Sequence, residues 1–360
     1  MPGSAHATGR AFLLYAAILV AAACSTAATP PPTAPPPGVT IMTFNVLNLF
    51  DNADDPLTDD KAYLPIAAKQ TEAHTAACNE IPVASWRNEC LYLDWSDAAV
   101  DHKLATLAAT IRQLNDGRGP DIIAFQEVEN AAILDRLSFG YLREANYGPA
   151  ILIEGQDARG IDVAFLSRLP LTESPVLHPL QFPDFPQRQR DTRGVLQASF
   201  MLPDGSTLTG FAVHFPAPYQ PTLMRERAYE HLNALREALP ADHNVFAAGD
   251  FNTTSGEDRE HSLLGRFARP GWTLAHDYCE GCPGTHYSAR NDAWSFLDTI
   301  LYSARRDGEA GWAPAPGGVY LATGHPPQLT EDGTPARYDA EARSGVSDHL
   351  PIVMTLQAPE

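Results

Sequence analysis

The strongest constraint on this chain is a rhythm: short apolar runs, each long enough for one buried strand, lie next to polar residues able to do chemistry. Thr40–Phe44 leads into Asn45, Asp121–Phe125 into Gln126-Glu127, and Ser206–Val213 into His214. Asn244–Ala248 leads into Gly249-Asp250-Phe251-Asn252. Asp298 stands before Thr299–Tyr302, and Ser347-Asp348-His349 before Pro351–Leu356. Ile161–Leu166 and Leu196–Leu202 are further strand candidates, the latter joined to Ser206 by the hairpin turn Pro203-Asp204-Gly205. Helical spacing is clearest in Asp101–Asn115, where Leu104, Leu107, Ala108, Ile111 and Leu114 share a face, and in Thr222–Leu239, with Met224, Ala228, Leu232, Leu235 and Leu239. Several strands precede and follow each helix, which predicts mixed sheets rather than a simple βαβ series.

The first residues predict export. His6 and Arg10 flank an apolar run, Ala11 to Ala22, too short to span a bilayer and suited to the core of a signal peptide over residues 1–23. Cys24 follows the small residues Ala21 to Ala23, the position of the lipidated cysteine in bacterial lipoproteins, although Ala21 stands where that pattern more often has Leu. Ordinary cleavage at the same small residues is the alternative. Residues 24–38 read as a stiff Pro-rich linker and 39–358 as the folded domain. The expectation is a monomer held to a membrane only through Cys24, in the periplasm or on the outer membrane, or else secreted.

In an exported chain the other cysteines favour disulfides. Sequence proximity pairs Cys78 with Cys90 and Cys279 with Cys282, both inside polar excursions, Asp51–Trp95 and Cys279–Tyr287, expected to line a cleft. A four-cysteine zinc site is the rival, but Cys78 and Cys90 lack C-x-x-C spacing. The net charge of −19 disfavours loose adhesion to nucleic acid or anionic lipid. It does not exclude a phosphate substrate, because a bound cation can dominate the local field.

Carboxylates, amides and two histidines at strand ends suit one chemistry. Phosphoester hydrolysis needs a hard cation on the phosphate oxygens, a positioned water and donors for developing charge. Phosphate-binding Gly loops, G-x-S-x-G elbows and H-E-x-x-H helices are lacking. Thr43-Phe44-Asn45-Val46, Gln126-Glu127-Val128, Gly249-Asp250-Phe251-Asn252 and Ser347-Asp348-His349 resemble, in order, the motifs of the endonuclease/exonuclease/phosphatase superfamily. His214 matches the branch that includes deoxyribonuclease I and sphingomyelinase.

That resemblance implies an α/β fold, a four-layer α/β/β/α sandwich of two mixed β-sheets flanked by helices. It implies Mg²⁺ or Mn²⁺ at Glu127, with Asn45 and Asp348 close by. It makes Asp250 the group that activates water, Asn252 a donor to the phosphate, and His349, oriented by Asp298, a phosphate contact or proton-transfer group. Asp162 is expected either to orient His214 or to stand as a strand-end charge facing water. Arg193 is expected to touch a phosphate, and its basic neighbours Arg188 and Arg190 to join it or to form a solvated loop face. The leading expectation is a nuclease, endonuclease or exonuclease, acting on DNA or RNA. The alternative is a phosphodiesterase or phosphatase for phospholipid, nucleotide or sugar phosphates, and the rival of another class is a non-catalytic binding module.

Overall fold

In the computed structural model the described residues are 1–4 and 38–359. The expected signal core, Cys24 and the Pro-rich run lie outside them. The strands in chain order are β1 (Val39–Leu49), β2 (Ile122–Val128), β3 (Ile151–Leu152), β4 (Asp162–Ser167), β5 (Val176–His178), β6 (Val195–Met201) and β7 (Thr207–His214). They continue as β8 (Asn244–Asp250), β9 (Thr273–Leu274), β10 (His286–Ser288), β11 (Ala293–Ser295), β12 (Asp298–Ser303), β13 (Ala313–Leu321) and β14 (Ile352–Gln357). The α-helices are α1 (Glu72–Asn79), α2 (Ala84–Tyr92), α3 (Asp97–Ile111), α4 (Ala131–Asp135), α5 (Thr222–Ala238) and α6 (Ser255–His261).

Two six-stranded sheets form, in the orders β13-β14-β1-β2-β4-β3 and β5-β6-β7-β8-β12-β9, with β10-β11 as a separate hairpin. Each mixes parallel with antiparallel neighbours: β1 runs parallel to β2 and β7 parallel to β8. The period-2 alternation of the strands sorts their side chains into three apolar layers. On β1 and β2, Met42, Phe44, Ile123 and Phe125 face out, against Leu104, Leu107, Ala108 and Ile111 of α3. Their neighbours Ile41, Ile122 and Ala124 face in, against Leu196, Ala212, Phe246, Ala248 and Ile300 of the second sheet. Phe211, Val213, Val245 and Ala247 then cover the far side of that sheet with Met224, Ala228, Tyr229 and Leu232 of α5. Three cores between four layers make the expected sandwich.

The structure departs from the sequence reading in instructive places. Helix α3 starts at Asp97 rather than Asp101, because Ala99 and Val100 already belong to the core it covers. It ends at Ile111, where the Leu114 carbonyl accepts the amides of Gly117 and Gly119 and turns the chain. Strand β13 shows no alternation in the sequence because Pro314, Pro316, Gly317 and Gly318 interrupt it, which an edge strand with a register shift tolerates. The Asp51–Trp95 excursion carries α1 and α2, joined by a Cys78–Cys90 disulfide, and Cys279 is bonded to Cys282. With all four sulfurs paired, no thiolate set remains for a four-cysteine zinc site. Among the described residues, no helix is long and apolar enough to cross a membrane.

Candidate active site

Sheet register brings the polar strand ends together. Parallel pairing sets Asn45 beside Gln126, and in the second sheet sets His214 beside Asp250. Antiparallel pairing of β12 with β8 sets Asp298 beside Asp250. Both strands of the first sheet leave regular pairing here: the register shifts between Asn45 and Leu49 on β1, and between Gln126 and Val128 on β2. Glu127 sits in that second irregularity at φ +65°. A left-handed backbone at a non-glycine residue costs on the order of 1 kcal/mol or more and persists only where neighbours impose it. Here Asn45 Nδ2 donates to Glu127 Oε1 at 3.3 Å and the Asn48 amide to Oε2 at 2.9 Å. Across the site, a Cβ on Gly249 would stand 1.9 Å from the Val213 carbonyl oxygen, so glycine is what lets β7 and β8 close up beneath His214 and Asp250.

Asp250 is the hub. Its Oδ1 accepts the Asn252 amide at 2.8 Å, and its Oδ2 accepts Asn45 Nδ2 at 3.2 Å. Nε2 of His214 lies 3.6 Å from the same Oδ2, and Nε2 of His349 lies 4.0 Å from it. Behind His349, Nδ1 meets Asp298 Oδ2 at 2.6 Å. The segment before β14 is held to β1 by Ser347, whose hydroxyl donates to the Asn45 carbonyl at 2.7 Å and accepts the His349 amide at 3.1 Å. Asn45, Asp250, Asp298, His214 and His349 are all buried.

Burial in this company separates the charge states. Desolvation pushes the Asp250 carboxyl up to about 7, with the charge of Asp298 adding to the effect. Desolvation alone would push the His349 imidazole down, but the carboxylates of Asp298, Asp250 and Asp348 outweigh it and hold it protonated well above the ordinary histidine range. His214 goes the other way. Burial, then the positive charges of Arg193, Arg159 and His349, push it well below that range.

The remaining expected residues divide. Asp348 is half-buried, ion-paired with Arg337 at 2.6 Å, with its Oδ1 4.0 Å from His349 Nε2. Asn252, at φ +51°, donates its side-chain amide to the Phe215 carbonyl at 2.9 Å. Of the basic cluster only Arg193 is buried, 3.4 Å from Asp157, and its Nε has no hydrogen-bond partner. Arg188 instead pairs with Asp191, and Arg190 lies at the surface. The expected link between Asp162 and His214 is absent. Asp162 accepts the Gly155 amide at 3.0 Å, while the buried Nδ1 of His214 has no partner among the described residues. Asp162 takes the first position of β4, where its side chain meets the returning 154–156 loop rather than β7.

Three further residues lie near the site. Arg159 lies three residues before Asp162 and its charge reaches Glu127. His286 packs its ring 5.0 Å from that of His349 and pairs with it as a β-bridge. The ammonium of Lys103, fully buried on α3, is pushed down to about 7 by burial, against the pull of Asp348 and Glu127. The Arg159-Gly160 step ahead of a strand was a legible signal; the other two carried none, because each sits inside a segment with its own structural explanation. A cavity of about 800 Å³ opens beside the cluster, lined among others by His286, Tyr287, Trp294, Arg337 and Asp348. The Cys279–Tyr287 segment thus reaches it, whereas the Asp51–Trp95 excursion supplies none of its lining.

The donor set fits a hard divalent cation. Glu127 presents two carboxylate oxygens, and Asp250, Asp298 and His349 hold one ligand atom each within 4.8 Å of one another, the buried Oδ1 of Asp298 having no hydrogen-bond partner among the described residues. Asn45 turns Nδ2 toward Glu127 and Asp250 while Oδ1 accepts the Leu47 amide, so as a ligand its amide would have to rotate.

A family model described as Endonuclease/Exonuclease/phosphatase family matches residues 42–349. Among solved structures, TDP2 of D. rerio complexed with single strand DNA product matches at 16% identity and a TM-score of 0.54, covering 89% of this chain and 99% of that one. The endonuclease/exonuclease/phosphatase from Bacteroides vulgatus matches at 14% identity and a TM-score of 0.54, covering 90% and 100%. Truncated Caenorhabditis elegans TDP2 matches at 14% identity and 0.50, covering 89% and 98%. At these identities the likeness is one of fold. No curated protein matches the sequence.

Proposed function

Because the chain belongs to the Endonuclease/Exonuclease/phosphatase family, we propose that it is a phosphoester hydrolase dependent on a divalent cation, acting as a nuclease by water attack at phosphorus. The observation that carries this is the convergence on one carboxylate, Asp250, of amide, imidazole and carboxylate groups from the ends of both sheets. Glu127, with Asp348 and a rotated Asn45, would hold Mg²⁺ or Mn²⁺. When bound, the cation neutralises charge on the phosphate oxygens.

The protein's own groups do the rest. Asp250, with one oxygen fixed by the Asn252 amide and its carboxyl poised near neutrality, takes the proton of the attacking water. The His349 imidazolium, its Nδ1 proton held by Asp298, presents Nε2 as a donor to the developing negative charge. His214 stays neutral and borders Asp250 on the β7 side. Asn252 adds a side-chain donor, and Arg193 a fixed positive field from below the surface. With a net charge of −19, nucleic acid is engaged through few phosphates, and short oligonucleotides react about as well per bond as long ones. Export and a Cys24 anchor belong to the same proposal, supported by the apolar run at Ala11–Ala22 and by two disulfides.

The test is turnover by EDTA-treated protein with Mg²⁺, Mn²⁺ or Zn²⁺ restored, on DNA, RNA, sphingomyelin and nucleotide substrates. Mg²⁺ or Mn²⁺ is expected to restore cleavage and Zn²⁺ to do so poorly. Full turnover in excess EDTA ends the cation assignment, and folded protein inert toward every phosphoester ends the hydrolase reading.

A further inference from the structure

Lys103, on α3, is wholly buried. Its Nζ donates to the Val346 carbonyl at 2.8 Å, across 243 positions of sequence. It stands 4.5 Å from the centroid of the Tyr338 ring, and the Tyr338 hydroxyl returns to the Ala99 carbonyl on the same helix at 2.6 Å. A fully buried lysine is rare. Against its desolvation stand one carbonyl bond, one cation–π contact and the charges of Asp348 and Glu127, and burial still wins; by the general rule for buried charges, an apolar chain of equal length would suit the core at least as well. Stability therefore does not account for Lys103.

What Lys103 touches supplies a different account. Val346 directly precedes Ser347, Asp348 and His349. Its own amide donates to the Ala336 carbonyl at 2.8 Å, closing the loop that carries Arg337 and Tyr338. Three anchors then fix the segment from the strand side: Ser347 to Asn45, His349 to Asp298, and Leu350 N to the Thr285 carbonyl. Lys103 is the side-chain anchor from the helix layer.

We propose that Lys103 is a positioning residue, whose Nζ pins the Val346 carbonyl from the helix layer and so sets where the following Asp348 and His349 stand. This rests on the hydrolase reading for its consequence in turnover, but not for its structural content.

Lys103→Met keeps the length and removes the donor and the charge. It is expected to melt at or above the wild-type temperature while kcat falls roughly 10- to 100-fold with KM little changed, as for a small displacement of a catalytic group. Without substrate, the downfield NMR signal of the His349 Nδ1 proton shared with Asp298 is expected to shift or broaden. Lys103→Arg, which keeps a cation and donors, is expected to recover part of kcat and of that signal. Wild-type kcat and an unmoved proton signal in Lys103→Met overturn the proposal, as does a loss no greater than its unfolded fraction explains. If Lys103→Met does not fold, Lys103→Gln is read on the same two measures. The proton signal needs no turnover, so it still decides the proposal if the wild type proves inert toward phosphoesters, a result that sinks the hydrolase reading alone.

Discussion

His214 and His349 reach the same Asp250 carboxylate from different sheets, at 3.6 and 4.0 Å, and are pushed in opposite directions, His214 toward the neutral and His349 toward the protonated form. His349 sits in the segment before β14, backed by Asp298 and flanked by Asp348. His214 ends β7, backed by nothing at Nδ1 and facing the guanidinium field of Arg193 and Arg159. Burial penalises the cation at both positions, so the partner charges decide the outcome. Two identical side chains thus come to carry different charge: an imidazolium held by Asp298, and a neutral ring beside Asp250.

The largest expected effect tests that division directly. His349→Ala should lower turnover by at least ~10²-fold, the lower range for an acid–base group. His214→Ala should cost less, on the order of tenfold, since its neutral ring only borders Asp250 at 3.6 Å. Equal losses at normal fold would erase the distinction between the two arms.

Asp298→Asn should lower turnover by roughly tenfold or more, because it loosens the imidazole without deleting it. NMR titration of EDTA-treated protein should show the His349 ring moving down toward the ordinary range, since its main opposing charge is gone. A histidine raised in the folded state stabilises below its unfolded value and loses that contribution as pH rises through the folded one. The melting-temperature deficit of Asp298→Asn should therefore be widest below about pH 6.5 and narrow in alkali. A deficit independent of pH would mean that Asp298 shapes the site without holding the charge.

The smallest effect on activity is expected from Asp162→Asn, since Asp162 bonds Gly155 and not His214. Its stability should change instead. Burial pushes the Asp162 carboxyl up to about 7, so the folded protein keeps a proton that the unfolded chain releases above about pH 4. Wild-type stability is lost across that window as pH rises, and Asp162→Asn escapes the loss. The variant should melt several degrees higher at pH 8 and about equally at pH 4. An activity loss as large as that of His214→Ala would restore Asp162 as the partner of that histidine.

Much of the site was legible because its members stand next to apolar strand runs, where α/β folds gather their chemistry. Asn45, Glu127, His214, Asp250, Asp298 and His349 were readable in this way, and the structure brings all six together. The partner of Asp162 was not legible, because adjacency to a strand says nothing of which neighbour a side chain meets. Lys103 was passed over because helical periodicity explained its segment without it. His286 lay in a Cys-rich excursion with no period to read.

Strand runs, helix faces and the types of residue at strand ends were determined by the sequence alone, because hydrophobic alternation and residue chemistry are local properties. The partnerships and charge states were decided only by tertiary structure. Asn45 meets Asp250 across 205 positions, Ser347 meets Asn45 across 302, and His349 meets Asp298 across 51. Whether a histidine there is charged depends on the desolvation and neighbouring charges that sheet register imposes. These are sums over neighbours in space, and no local pattern along the chain encodes them.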